Sequence, residues 1–253
     1  MAAQQDLTTS APARGVRGAL DRLAMRDARH GPLPPLLMLL TVVTGLVDAV
    51  SFLALGRVFV ANMTGNIVFL GFAIADAADF SIPASLTAIL AFLLGALAGG
   101  RLGARLGVHR GRLLTVTILS ESVLVALALA LVLAATASEP VERYLTIALL
   151  SIAMGLQNAT ARRLSVPDLT TTVLTLTLTG FAADSTLASG SNPRPGRRIL
   201  ATAAMFSGAA VGALLLLRIG VGAVLALALG LLLAGLAAAA PYWRTTAAWA
   251  QGS

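Results

Sequence analysis

Six long apolar runs, near residues 34–56, 84–106, 113–137, 143–161, 198–218 and 220–240, are separated by short charged or glycine-bearing connections. A helix needs about 20 apolar residues to cross a hydrocarbon core of about 30 Å, and each run is close to that length. Two further runs, 58–75 and 169–188, are long enough but unusually polar. The first contains "FVANMTGNIVFLGFAIAD" at 59–76, with Asn62, Thr64 and Asn66 inside five positions. The second holds Thr170, Thr171, Thr172, Thr175, Thr177 and Thr179, in part alternating with Val or Leu. In water that alternation would predict a strand, but a lone strand cannot satisfy its backbone in lipid. Read as a helix, it puts Thr172, Thr175 and Thr179 on one face. The pattern predicts an all-α polytopic membrane protein.

Composition supports that class. Of 253 residues 57% are hydrophobic and only 11% charged, with a mean hydropathy of +0.87; a soluble domain carries about 25% charge. The net charge is +7, and all eighteen basic residues are Arg. They lie between apolar runs without an aromatic-rich basic face, which points to loop charges that orient the chain and not to nucleic acid. No Cys is present, so disulfides, thiolate metal sites and cysteine nucleophiles are excluded. His30 and His109 sit beside arginines outside the apolar runs, and no metal site or cofactor is expected.

Charge also bears on topology. Residues 1–33 read as a basic cytoplasmic tail, with an amphipathic helix from about Val16 to Arg29. The next run is too long for a signal peptide and should remain as an uncleaved span. If all eight runs crossed, the Arg101–Arg112 connection would face outward, against the positive-inside rule. If the two polar runs enter and return, every Arg cluster falls inside, with Arg57 and Arg143 left outside. The expectation is six transmembrane helices plus two re-entrant or broken segments, with the N-terminus cytoplasmic in the inner (plasma) membrane; eight crossings is the alternative.

The chain also repeats itself. "GLVDA" at 45–49 returns as "GLQNA" at 155–159, and each is followed about twenty residues later by a polar segment, "NMTGN" at 62–66 and "TVLTLTLTG" at 172–180. Those segments close alike, with "GFAIAD" at 71–76 and "GFAAD" at 180–184, and the next spans share a small-residue spacing, Gly95/Gly99 and Gly208/Gly212. Two half-repeats are expected, 34–137 and 138–240, followed by a short tail at 241–253. With six spans they are inverted, an architecture common among transporters; with eight they are parallel.

Several polar residues within these runs could carry chemistry. Asp48 lies deep in the first run, where an isolated carboxylate costs about 2.5 to 3.5 kcal/mol even on the lenient insertion scale. It is either an ion or proton site, or a carboxylate near the span's end that caps the next segment or pairs with Arg57. Its counterpart is Asn158, preceded by Gln157, and the amides suit either recognition of a cation or polar solute, or helix–helix hydrogen bonding. Glu121 sits about eight residues into the third run and has no acidic counterpart in the second half. The candidate ion or substrate ligands are Asp48, Asn62, Thr64, Asn66, Glu121, Gln157, Asn158, Thr172 and Thr175.

The stretch "GALAGGRLGARLG" sets Gly95, Gly99, Gly103 and Gly107 on one helical stripe. Such small-xxx-small spacing lets membrane helices approach closely, and the partner could be Gly208 and Gly212 or another subunit, as in a homo-oligomer. No preceding strand or P-loop Lys accompanies it, so it is not a nucleotide fingerprint. No catalytic set is visible: no Ser has a nearby His base, and the buried acids lie on separate runs, so an enzyme is not expected.

"TGLVDAVSFLALGRVFVANMTGNIVFLG" at 44–71 and "GLQNATARRLSVPDLTTTVLTLTLTG" at 155–180 resemble the YoaK family of bacterial integral membrane proteins, a domain of unknown function. The matching positions are Gly45, Asp48, Phe59, Asn62, Met63, Thr64, Gly65, Asn66, Gly155, Gln157, Asn158, Thr172, Thr175 and Gly180. "LTLTLTG" departs from the pattern in lacking a Gly soon after Thr175. The resemblance, over residues 34–240, implies a multi-helix inner-membrane protein and no established activity. The leading functional expectation is a small-solute or ion transporter or channel-like permease, with the bilayer and an unknown solute as partners. The alternatives are a non-transporting scaffold and, behind it, an intramembrane enzyme on a lipid-like substrate.

Overall fold

The computed structural model describes residues 29–134, 140–172, 174–190 and 195–251. The amphipathic helix expected over 16–29 lies, but for Arg29, outside them. Eight α-helices run through the described residues: α1 Leu33–Ala54, α2 Met63–Ile74, α3 Ile82–Leu106, α4 Arg110–Ala134, α5 Pro140–Leu164, α6 Leu174–Ala183, α7 Pro195–Arg218 and α8 Val221–Ala239. Six of them, α1, α3, α4, α5, α7 and α8, are long and apolar enough to cross a membrane. The polar runs form α2 and α6, of 12 and 10 residues. At 1.5 Å per residue these are about 18 and 15 Å long, half of what a crossing needs.

Local chemistry sets the boundaries. Pro34 and Pro83 stand in the first turns of α1 and α3, where a missing N–H is harmless. The Ser81 hydroxyl accepts from Ala84 N (3.3 Å) and the Asn62 amide oxygen from Gly65 N (3.4 Å), capping α3 and α2. After α1 the chain turns through Gly56 (φ 106°) and Arg57 (φ 54°), and Gly220 (φ 127°) makes the tight turn between α7 and α8.

α1 and α5 are the most buried of the six long helices. α3 packs along α5 and α7 packs along α1, each pair parallel, while α4 bridges α5 and α8 and α8 closes onto α1. Both parallel seams are built on glycine. A Cβ at Gly95 would fall within 3.0 Å of Ile152 O, and one at Gly155 within 3.0 Å of Phe92 O. On the other seam Gly208 faces Val42 O, Gly45 faces Met205 O, and Gly212 lies against Leu46 and Ala49. The stripe on α3 therefore does not meet Gly208/Gly212. It lies on Ile152, Leu156, Ala159 and Arg163 of α5. The outward faces of α3 and α7 present Leu90, Leu93, Leu97, Phe206 and Leu214, as expected of a chain solvated by lipid.

The helix ends decide between the two topologies. Arg110, at the start of α4, donates to Leu164 O at the end of α5, to Trp249 O (3.3 Å) and to Arg29 O (3.5 Å), and His109 bridges to Gln251. The starts of α1 and α4 and the ends of α3, α5 and α8 thus share one end. Eight crossings would set the end of α5 opposite the start of α1, so that alternative fails. Arg29, Arg110, Arg112, Arg162, Arg163 and Arg244 lie at this basic end. Arg218, which ends α7, joins Arg57 and Arg143 at the other, so three described arginines, not two, are on that side.

Candidate functional site

The nine polar residues singled out in the sequence separate into three groups. The first holds the chain between α1 and α2. Asp48 is buried at 5% exposure, and its Oδ1 accepts from Val60 N (3.1 Å) and Ala61 N (3.0 Å). Of the readings open for Asp48, the geometry is that of a cap on the following segment. Arg57 pairs instead with Asp79, at 3.3 Å on the exposed rim. Asn66, fully buried, grips one residue at both ends: its Oδ1 accepts from Phe59 N (2.8 Å) and its Nδ2 donates to Phe59 O (2.6 Å). Gly65 leaves room for the Phe59 ring, which stacks on Phe52. In lipid an unpaired backbone group costs several kcal/mol, so a loop at membrane depth needs internal acceptors of this kind.

The second group meets at a cavity. Asn62, Thr64 and Gly65, at the first turn of α2, face Asn158 of α5 and Thr172 and Thr175 around α6 across a space of about 590 Å³. Phe92 of α3 and Met205 of α7 close it, and Phe69 adds an aromatic wall. The Thr172 hydroxyl donates to Asn158 Oδ1, and Asn158 Nδ2 donates to Met154 O (2.9 Å). The helical face expected from Thr172, Thr175 and Thr179 is interrupted. Thr171 has φ 64° and α6 begins only at Leu174, so Thr172 precedes the helix and reaches sideways to Asn158. The described residues lining the cavity include amides and hydroxyls but no charged side chain. The first turns of α2 and α6 contribute Thr64, Gly65 and Thr175 to the wall; Gly65 N is already bonded to the Asn62 cap, so what the wall offers is amide N–H and hydroxyl groups, which can donate as well as accept hydrogen bonds.

The third group is a buried polar layer away from the cavity. Gln157 Nε2 donates to Thr44 Oγ1 (2.9 Å), joining α5 to α1, and the hydroxyls of Thr117 and Thr160 share a hydrogen bond of 2.8 Å between α4 and α5. Glu121 lies one turn from Thr117, at the level of Gln157. It is 0% exposed and neither carboxylate oxygen has a hydrogen-bond partner; Gln157 Oε1 has none either. Thr44, Thr117 and Thr160 were missed in the sequence because a lone Thr in an apolar helix usually bonds its own backbone, as Thr41 does to Leu37 O.

A fourth set, also not anticipated, ties down the second half. Arg198 donates through Nε to Asp168 Oδ1 (2.9 Å), through Nη2 to Asp184 Oδ2 (2.7 Å), and through Nη1 to Gly180 O. Its signal in the sequence is three charges flanking a polar run, indistinguishable from loop charges. Among the described residues no cluster of three or more His, Cys, Asp or Glu could hold a metal.

Comparison with known proteins agrees with this architecture. The chain is 35% identical over 155 residues to the UPF0700 transmembrane protein YoaK of Bacillus subtilis (strain 168). That alignment covers 59% of this chain and 65% of the relative, so just under two thirds of the relative's length is spanned. No solved structure matches. With six spans, two short polar helices and residues 36–238 matching the family described as "Protein of unknown function (DUF1275)", the chain belongs to that family of multi-pass membrane proteins.

Proposed function

We propose that the protein is a permease for a small polar solute or ion, built from two inverted halves around the cavity of about 590 Å³. The observation that carries this reading is the composition of the cavity wall: Asn62 and Thr64 from one half, Asn158, Thr172 and Thr175 from the other. Supporting the inverted repeat, α1 and α5 run in opposite directions between the same ends, and their seams exchange partners. Gly95 on Ile152 and Gly155 on Phe92 in one seam correspond to Gly208 on Val42 and Gly45 on Met205 in the other. Sites in inverted-repeat transporters lie near the midplane at short or broken helices, and the reading is supported by the first turns of α2 and α6 lining one cavity here. Arginines gathered at one end support an inner-membrane protein with its N-terminus cytoplasmic. No enzymatic step, nucleic acid or cofactor enters this reading.

The test is flux through purified protein in liposomes, over a panel of small anions and neutral polar solutes. Thr64→Leu and Thr175→Leu, which fill the cavity, are expected to reduce the active flux at least tenfold while the protein stays monodisperse. No flux for any solute, or flux indifferent to both substitutions, would end the proposal. A second reading, a scaffold whose polar groups only join helices, is favoured by the bonds of Asp48 and Asn66 to backbone. It predicts that Asn158→Ala lowers stability and that no solute moves.

A further inference from the structure

A second and larger cavity, of about 950 Å³, opens at the basic end between α3, α5 and the chain segments flanking the bundle. Its wall carries four guanidinium groups, from Arg29, Arg110, Arg162 and Arg163, with His30 and the Trp249 ring beside them, and none of the described residues lining it is acidic. Arg110 donates to backbone carbonyls, Leu164 O and Trp249 O, which fix its position. Arg163 is set by glycine. Its Cγ would lie 3.4 Å from a Cβ at Gly103 and its Nε 2.9 Å from one at Gly107, so the bare stripe lets the side chain lie along α3 and present its head at the mouth.

The roof is built as well. The segment after α8 folds back across this end, with Trp249 against Gly31 and edge-on to Tyr242, while Arg112 Nε donates to Trp243 O (3.0 Å). The floor continues down α3 to Gly99 and Gly100. No atom lies within 4 Å of where a Gly100 side chain would begin. Leu97 and Leu93 follow on the same face, exposed by 54% and 57%. A cationic chamber therefore leads into an open apolar track along the outward face of α3.

We infer that this cavity binds the phosphate headgroup of an anionic phospholipid, with an acyl chain laid along Gly100, Leu97 and Leu93. Guanidinium groups pair with phosphate oxygens through parallel N–H···O bonds. Basic pockets between membrane helices suit anionic headgroups, and the mere need for orienting charge would be met by arginines spread over open loops. A free phosphate ion would satisfy the chamber but leave the track unused, so the lipid is the occupant that fits both parts.

The full chain, purified in a neutral detergent, is exposed to mixed micelles of phosphatidylcholine, of phosphatidylglycerol, or to inorganic phosphate alone. Retained lipid is counted by native mass spectrometry, and thermal stability is read alongside. Phosphatidylglycerol is expected to be retained at least fivefold over phosphatidylcholine and to raise the melting temperature. The Arg162→Gln/Arg163→Gln double variant should lose most of that preference, and Arg218→Gln, at the other end, should keep it. Gly100→Leu, which has room to fold, should reduce phosphatidylglycerol retention severalfold. Equal retention of the two lipids, preference unchanged in the double variant, or full stabilisation by inorganic phosphate alone would each overturn the assignment to lipid.

Discussion

Asp48 offers the sharpest separation of a structural from an ionic role. Its Oδ1 takes hydrogen bonds from two backbone N–H groups, Val60 at 0% and Ala61 at 5% exposure. Asp48→Ala removes the acceptor and strands both donors in a region water does not reach. A buried donor left without a partner costs about 1–3 kcal/mol, so the pair costs about 2–6 kcal/mol. Asp48→Asn keeps an oxygen at the same position and loses only the charge assistance, partly offset by the cheaper burial of an amide; the expected loss is about 1–2 kcal/mol. At about 2–4 °C per kcal/mol for a chain approaching this size, Asp48→Ala should melt roughly 4–24 °C below wild type and Asp48→Asn about 2–8 °C below it. The assay is the temperature at which purified protein in detergent ceases to be monodisperse, read at one fixed heating rate because such unfolding is irreversible. If Asp48→Asn falls as far as Asp48→Ala, the negative charge and not the acceptor geometry is what the fold needs. If Asp48→Ala melts like wild type, the loop is not held by this residue at all.

Three further outcomes follow from the structure. Gly155→Ala puts a methyl group into the carbonyl of Phe92 and should cost more than 2 kcal/mol, whereas Gly100→Ala, with open space around it, should be neutral; equal melting of the two variants would refute the parallel α3–α5 seam. Glu121→Gln removes a carboxyl that has no donor for either oxygen and places an amide at the level of Gln157, so it should melt at or above wild type; a loss of more than about 5 °C would show that Glu121 has a partner the fold depends on. Single cysteines at Ala78 and Val108, both exposed, should be labelled from outside and from inside the cell respectively, and the reverse pattern would overturn six spans from a cytoplasmic N-terminus; Gly111 is a poor site, since a Cβ there would lie 2.5 Å from Tyr242 O.

The spans were legible in the sequence because the length of an apolar run is a direct image of bilayer thickness, and the observed helices begin and end within a few residues of the runs. Arginine placement argued for six crossings, and the grouping of helix ends at Arg110 agrees. Packing partners were not legible. The glycine stripe on α3 announces a close neighbour without naming it, since every Ala- and Gly-rich helix offers the same surface. For Asp48 the sequence left two readings open: the cap on the next segment fits its bonds to Val60 N and Ala61 N, whereas the opposite charge, Arg57, pairs with Asp79.

The two short polar helices are held differently, and this is where reading by correspondence misleads. Each must be held at membrane depth. In the first half the clamp is at the entry, where Asp48 and Asn66 together make four hydrogen bonds to the backbone of Phe59, Val60 and Ala61. In "GLQNA", Asn158 stands where "GLVDA" has Asp48; its oxygen takes a hydroxyl, that of Thr172, while Arg198 secures the far end of α6 through Gly180 O, Asp184 and Asp168. An amide suffices at 158 because the load has moved to Arg198, and that leaves its side chain at the cavity wall where Asp48 has none. The difference between "GLVDA" and "GLQNA" thus goes with which end of each short helix is anchored, and it leaves Asn158 at the cavity wall while Asp48 is taken up by the backbone of Val60 and Ala61.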